Sequence, residues 1–254
     1  MSPWTSSTRS SSPRLRRASP PREGSGELQP AEWAWLGRVA YARATGLQEE
    51  LREQVAAGSG AEILLLLEHD PVITLGRGAD PANVLASPQT LGAQSIPVLR
   101  TSRGGQVTFH GPGQIVGYPV FRLRRGVSAH MRCMADAVIS VLQDFGIRAE
   151  WRASAPGVWV GADKICALGV HVRHRIAIHG FALNVGDDLG GFSHIIPCGL
   201  RGSGVTSIAR QIGSAPELAY LAETLAGACE RSFAMPLVRI ACSSSRLQIA
   251  NRNL

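Results

Sequence analysis

Of the 26 basic side chains in this 254-residue sequence, 25 are arginine and one is lysine, Lys164. Arginine serves wherever positive charge alone suffices. The single lysine is therefore a candidate for chemistry that arginine cannot do, because an ammonium can lose its proton in a protein and a guanidinium cannot. Chance survival at an exposed hairpin is the plain alternative. A second candidate is Cys198 in Ile195-Ile196-Pro197-Cys198-Gly199, where the flanking proline and glycine put the thiol on a rigid, uncrowded loop. The remaining cysteines read as core fillers, Cys133 and Cys229 on helices and Cys166 on a strand, or fall in a poorly patterned tail, Cys242. A thiol titrating near about 8.5 is mostly protonated at neutral pH and needs a nearby cation to react. Lys164 supplies one if its hairpin and the Cys198 loop meet, and its amine can also take a proton from an incoming nucleophile. Together the two describe acyl transfer through a thioester.

The segment Arg103-Gly104-Gly105-Gln106-Val107-Thr108-Phe109-His110-Gly111-Pro112-Gly113-Gln114 brackets a short strand with four glycines. Such a strand lets a ligand lie against bare backbone, with Arg103 or His110 meeting its polar atoms. It is neither a dinucleotide fingerprint, since Val116 stands where the third glycine belongs, nor a P-loop, since it holds no lysine. An ordinary glycine-rich turn is the alternative. His179-Gly180-Phe181 marks a strand where glycine allows a ligand close. Cys166, His171, His174 and His179 match no familiar zinc spacing, and strand alternation would put residues 171 and 174 on opposite faces, so no metal is expected.

These residues need elements to hold them. Tyr41, Ala44, Leu47, Leu51 and Val55 follow a helical face ended by Gly58 and Gly60. Strands are expected over Ile63 to Leu67, Val72 to Leu75, Ile96 to Arg100, Gln106 to Phe109 and Ile115 to Phe121. Ser128 is placed as the cap of a second helix, whose stripe Met131, Ala135, Val138, Leu142 and Phe145 faces the core and ends at Gly146. Strands Gly157 to Val160 and Ile165 to Val172 flank the expected hairpin Gly161-Ala162-Asp163-Lys164. Arg175 to Leu183 is the next strand, residues 185 to 204 form a glycine-rich loop, and a helix from about Pro216 to Phe233 ends the core. Strands and helices do not alternate regularly, so the expected fold is α/β of the α+β type, a mixed β-sheet with packed helices.

The bulk composition bounds the function. With 44% hydrophobic residues, one catalytic domain over residues 31 to 236 is expected, followed by a tail over 237 to 254. Residues 1 to 30, rich in Ser, Arg and Pro, are expected to be disordered. They resemble a transit peptide, although Pro13, Pro20 and Pro21 interrupt any amphipathic helix; a start codon placed too early explains them equally well. No apolar run approaches the roughly 18 residues of a membrane helix. The five cysteines are odd in number and widely spaced, which fits a reducing, cytoplasmic compartment. The net charge of +7 is not arranged as a groove-tracking stripe, so nucleic acid is not an expected partner, while an acidic protein is.

The motifs Arg103 to Gln114, Ala155-Pro-Gly-Val-Trp-Val160, Lys164-Ile-Cys-Ala-Leu-Gly169, His179-Gly-Phe-Ala-Leu-Asn184 and Pro197-Cys-Gly199 follow one another as in a known family. Over about residues 36 to 212 the chain resembles the lipoyl-synthesis octanoyltransferases, also called lipoyl(octanoyl) transferases. The resemblance implies a fold like the biotin and lipoate protein ligases. It implies transfer of octanoate from octanoyl-acyl carrier protein to a lysine of lipoyl domains of 2-oxoacid dehydrogenases and of the glycine cleavage H protein. Carried over by motif, Cys198 is the nucleophile and Lys164 lowers its pKa, while Arg103 to His110, Ala167-Leu168-Gly169 and His179-Gly180-Phe181 wall the acyl group. No cofactor is implied, and a monomer is expected. Phe109 and Phe181 stand where the family often has Tyr and Leu, and Phe181 could reshape the acyl tunnel. Competing readings are an ATP-dependent lipoate ligase on the same fold and a non-catalytic acyl- or carrier-binding domain.

Overall fold

The computed structural model describes Met1, residues 30–197, residues 204–244 and Leu247. Eleven strands are described: β1 (Ala31–Arg38), β2 (Ile63–Glu68), β3 (Val72–Leu75), β4 (Val98–Arg100), β5 (Val107–His110), β6 (Gln114–Val120), β7 (Glu150–Trp151), β8 (Gly157–Val160), β9 (Asp163–Arg173), β10 (Ile176–Asn184) and β11 (Leu237–Arg239). Eight of them form the main sheet in the order β11-β1-β2-β6-β10-β9-β8-β7, and β4-β3-β5 form a smaller one. β1 runs parallel to both its neighbours, and the other pairings in the main sheet are antiparallel.

The run Ile63-Leu64-Leu65-Leu66-Leu67 shows why a continuous apolar strand forms here. Leu64 and Leu66 belong to one core and Ile63, Leu65 and Leu67 to another, so the two-residue period is present but both faces are covered. The first core packs the sheet against helices α3 (Val127–Asp144) and α5 (Leu218–Phe233); the second packs it against α1 (Tyr41–Ala57). The short helix α2 (Pro88–Ala93), capped by Ser87, seals the small sheet through Leu91. A last short helix, α4 (Ile208–Ile212), is capped by Ser207.

α1 carries the expected face, with Tyr41, Ala44, Leu47, Leu51 and Val55 buried and Gly58 closing it in the left-handed conformation, φ 71°. Several expectations are corrected. Ser128 does not cap α3; the helix begins at Val127 after Gly126, φ 89°, with no side-chain cap. Met131 is only half-buried and borders a cavity, whereas Met134 is the core methionine. The β8–β9 turn is shorter than expected, Gly161-Ala162, which places Lys164 inside β9 instead of on an exposed hairpin. His174 lies in the turn after β9, not in an extended strand. β1 and α4 were not anticipated. Leu237–Arg239, inside the segment set apart as a tail, is a strand of the main sheet paired with β1. No helix among the described residues is long and apolar enough to cross a membrane.

Candidate active site

A cavity of about 600 Å³ opens between the two sheets, within the range of about 300 to 1,000 Å³ typical of small-molecule sites. One wall is the glycine-rich segment, from which Arg103, Gly104, Gly105, Gln106, Val107, Thr108 and His110 face the cavity. Phe109 does not; its ring packs edge-on against Phe192, centroids 5.7 Å apart, in the core of the small sheet. The opposite wall is Ala167, Leu168 and Gly169 of β9 and His179, Gly180 and Phe181 of β10. The two walls meet through main chain. Gly104 N–H donates to the Val170 carbonyl at 3.0 Å, and a Cβ on Gly169 would lie 2.9 Å from the Gly104 carbonyl oxygen, so position 169 requires bare backbone.

Lys164 lies at the same cavity and is only 6% exposed. Its Nζ donates to the Pro156 carbonyl at 3.1 Å and lies 4.8 Å from the centre of the Trp159 ring. The fit is close: a Cβ on Gly157 would come within 2.8 Å of Lys164 Cε. Lys164 N–H donates to the Gly204 carbonyl at 3.0 Å, and Thr206 N–H to the Lys164 carbonyl at 3.0 Å, so the chain after residue 203 runs beside the lysine. On the other side, Ile196 N–H donates to the Asn83 carbonyl at 2.8 Å, and Ile195 bridges Val84. Cys198 itself lies outside the described residues. Cys166 and Cys229 are buried, and burial pushes both thiols up, Cys229 to about 12. They are inert fillers.

At the cavity sits a group of imidazoles and phenols that the sequence did not mark as a unit. His69 Nδ1 lies 2.7 Å from the Val39 carbonyl, so it carries the proton, and Nε2 then accepts from the Tyr118 hydroxyl at 2.7 Å. Tyr41 stacks on His110 with centroids 5.8 Å apart. Burial pushes His69 down to about 4 and His179 to about 3, and holds His110 well below the ordinary histidine value, so all three are neutral near pH 7. His179 is held at φ 59° within β10, with its N–H bonded to Gln48 Oε1 of α1 at 2.7 Å. That conformation is uncommon for a residue with a side chain. Its Nδ1 is buried without a hydrogen-bond partner. The cavity-lining residues Tyr41, Tyr118, Met131, Trp151 and Ala153 to Pro156 were not foreseen as a wall. Only the Ala155-Pro-Gly-Val-Trp motif hinted at them. Among the described residues no group of His, Cys, Asp and Glu is placed to hold a metal ion.

Residues 40–230 match the lipoyl protein ligase A/B catalytic domain model. An octanoyltransferase of Chloroflexus aurantiacus is 44% identical over 207 residues, which is 79% of this chain and 93% of that protein. Two solved structures share the fold at low identity. A bi-partite lipoate protein ligase from Thermoplasma acidophilum is 15% identical with a TM-score of 0.66, covering 87% of this chain and 91% of that one. The biotin protein ligase of Aquifex aeolicus is 12% identical with a TM-score of 0.51, covering 80% and 70%. With this family match and this identity over most of its length, the chain belongs to the lipoyl protein ligase A/B catalytic domain family, among its octanoyltransferases, and is an acyltransferase.

Proposed function

We propose that the chain moves an octanoyl group from octanoyl-acyl carrier protein to a lysine of lipoyl domains, including those of 2-oxoacid dehydrogenases and the glycine cleavage H protein, through a thioester on Cys198. In this reading the chain from β1 through β11 acts as one catalytic unit, in the cytoplasm, as a monomer without a cofactor. The observation that carries it is the burial of the chain's one lysine at a cavity walled in part by glycine backbone, beside residues 204–206, which follow the Cys198 segment in sequence.

Lys164 takes the proton of the Cys198 thiol, and the thiolate attacks the donor carbonyl. The new C–S bond forms as the bond to the carrier sulfur breaks, and that leaving sulfur recovers the proton from Lys164. In the second half the acceptor amine attacks the acyl-cysteine, Lys164 takes the amine's proton, and the departing Cys198 sulfur is reprotonated. Thioester exchange is near-isoenergetic and amide formation is downhill, so no nucleotide is consumed. Backbone N–H groups of the glycine-rich wall supply hydrogen bonds to the oxyanion.

The test is incubation with octanoyl-carrier protein in the absence of ATP, followed by mass spectrometry. A hydroxylamine-labile octanoyl adduct on Cys198 is expected, and Lys164→Arg should lower turnover at least about a hundredfold, because arginine keeps the charge but cannot shuttle the proton. An absolute ATP requirement, or an adduct on no cysteine, would sink the proposal in favour of an adenylate-forming ligase. Unchanged turnover in Lys164→Arg would remove the lysine's role.

A further inference from the structure

A chain of buried polar side chains runs behind the cavity from one wall to the strand that bears Lys164. Arg103 Nη2 donates to the Thr74 hydroxyl oxygen at 2.8 Å and to the Thr74 carbonyl at 2.7 Å. Thr74 Oγ1 faces His110 Nε2 at 3.5 Å. His110 Nδ1 meets Gln114 Oε1 at 2.7 Å, Gln114 Nε2 donates to Asn184 Oδ1 at 2.8 Å, and Asn184 Nδ2 donates to the Thr206 carbonyl at 3.0 Å. Thr206 N–H in turn donates to the Lys164 carbonyl at 3.0 Å. Thr74, His110, Gln114, Asn184 and Thr206 are all buried.

The direction of every bond is forced by its two ends. A carbonyl only accepts, so the Asn184 amide must turn its NH₂ to Thr206 and its oxygen to Gln114. Gln114 is independently oriented the same way, because its Nε2 also donates to the Phe109 carbonyl at 3.3 Å. Its oxygen therefore faces His110, whose Nδ1 carries the proton and whose Nε2 is left to accept from Thr74. Nothing in this run can be reversed without placing two acceptors or two donors face to face in a buried setting.

We propose that Gln114 and Asn184, neither of which lines the cavity, are positioning residues that hold the Lys164 strand and the segment returning from the Cys198 loop in register with the Arg103–His110 wall. The inference rests on the reading of Lys164 and Cys198 as the reacting pair and adds the device that aligns them with the acyl group. A displacement of about 1 Å at a reacting centre costs about a hundredfold in rate, so the alignment is worth a chain of six contacts.

Asn184→Asp tests it. The substitution is nearly isosteric and keeps the acceptor toward Gln114, but it turns a carboxylate oxygen to the Thr206 carbonyl. Protonation restores the donor, and burial raises the pKa of the introduced carboxyl. The titratable groups facing it along the chain are His110, beyond Gln114, and Lys164, beyond Thr206. Octanoyl transfer to a lipoyl domain is measured for variant and parent protein between about pH 9 and pH 6.5. The expected result is a variant-to-parent turnover ratio near about one tenth or lower at the alkaline end that climbs as pH falls. A ratio near one throughout, or a low ratio that stays flat with pH alongside a lowered melting temperature, would overturn the proposal, the latter because it marks a purely structural role. If Asn184→Asp does not fold, Gln114→Glu poses the same question one link earlier, with the same two outcomes. The Cys198 adduct in the parent protein is scored separately, so failure of the thioester reading is distinguishable from failure of the alignment.

Discussion

Replacing His130 with leucine should flatten the acid side of the protein's stability curve by an amount the structure allows one to work out. His130 lies on α3, 6% exposed, with its ring edge-on to Phe121 and Phe233 and its Nε2 buried without a hydrogen-bond partner. Burial, with a smaller contribution from the nearby Arg124, pushes it down from 6.5 to about 4. The native pKa lies below the unfolded one, so the unfolded chain binds the proton first as pH falls. Stability is therefore complete above the unfolded value and is lost progressively from about pH 6.5 toward pH 4. Between pH 8 and pH 5 this one residue removes about 2 kcal/mol, a large share of the roughly 5 to 15 kcal/mol that holds a typical domain. Leucine does not titrate and fills the same apolar niche. The assay is urea unfolding at pH 8 and pH 5 for both proteins, with linear extrapolation. The fall in stability between those pH values should be about 2 kcal/mol smaller for His130→Leu than for the parent. A difference below about 0.5 kcal/mol would show that the native imidazole ionises as it does in the unfolded chain, and would refute the argument from burial.

Gly157→Ala should push on Lys164, since the added methyl would lie 2.8 Å from Cε and 2.9 Å from the Cys166 carbonyl; about 1 to 3 kcal/mol of destabilisation and at least about a tenfold fall in turnover are expected, read by thermal unfolding and a transfer assay. Phe181→Leu should lengthen the acyl site, because the Phe181 ring borders the cavity and stands over Gly117; competition between octanoyl and decanoyl donors should shift toward the longer chain, and an unchanged ratio would place Phe181 outside the chain-length limit. Iodoacetamide at neutral pH should label Cys198 and the exposed Cys242 while leaving Cys166 and Cys229 unmodified, because burial raises the thiol pKa of the latter two. Peptide mass spectrometry reads the order of labelling, and early labelling of Cys166 would contradict its burial.

What sequence alone settled were the features written in a single stretch of chain. The amphipathic face of α1 and its glycine stop were legible because helical period and cap are local. The glycine-rich wall was legible because bare backbone needs glycine, and Lys164 stood out because it is the one lysine. The motif order then identified the family. What required tertiary structure were the features made by distant partners. β1 and β11 were missed because each is fixed by partners distant in sequence, β11 by β1 across more than two hundred residues and β1 also by β2 beyond α1, with little alternation of its own. Ser128 has the chemistry of a cap, but the backbone at Gly126 starts the helix two residues too early for it. Phe109 sits in the middle of the glycine-rich motif and yet turns away from the cavity to pack on Phe192. The run from Arg103 to Thr206 could not be read as a connected unit, although Arg103, His110 and Gln114 share one motif and Asn184 ends another. Its members come from several separate segments, and only sheet register, which sets β10 between β6 and β9, brings Gln114 and Asn184 face to face.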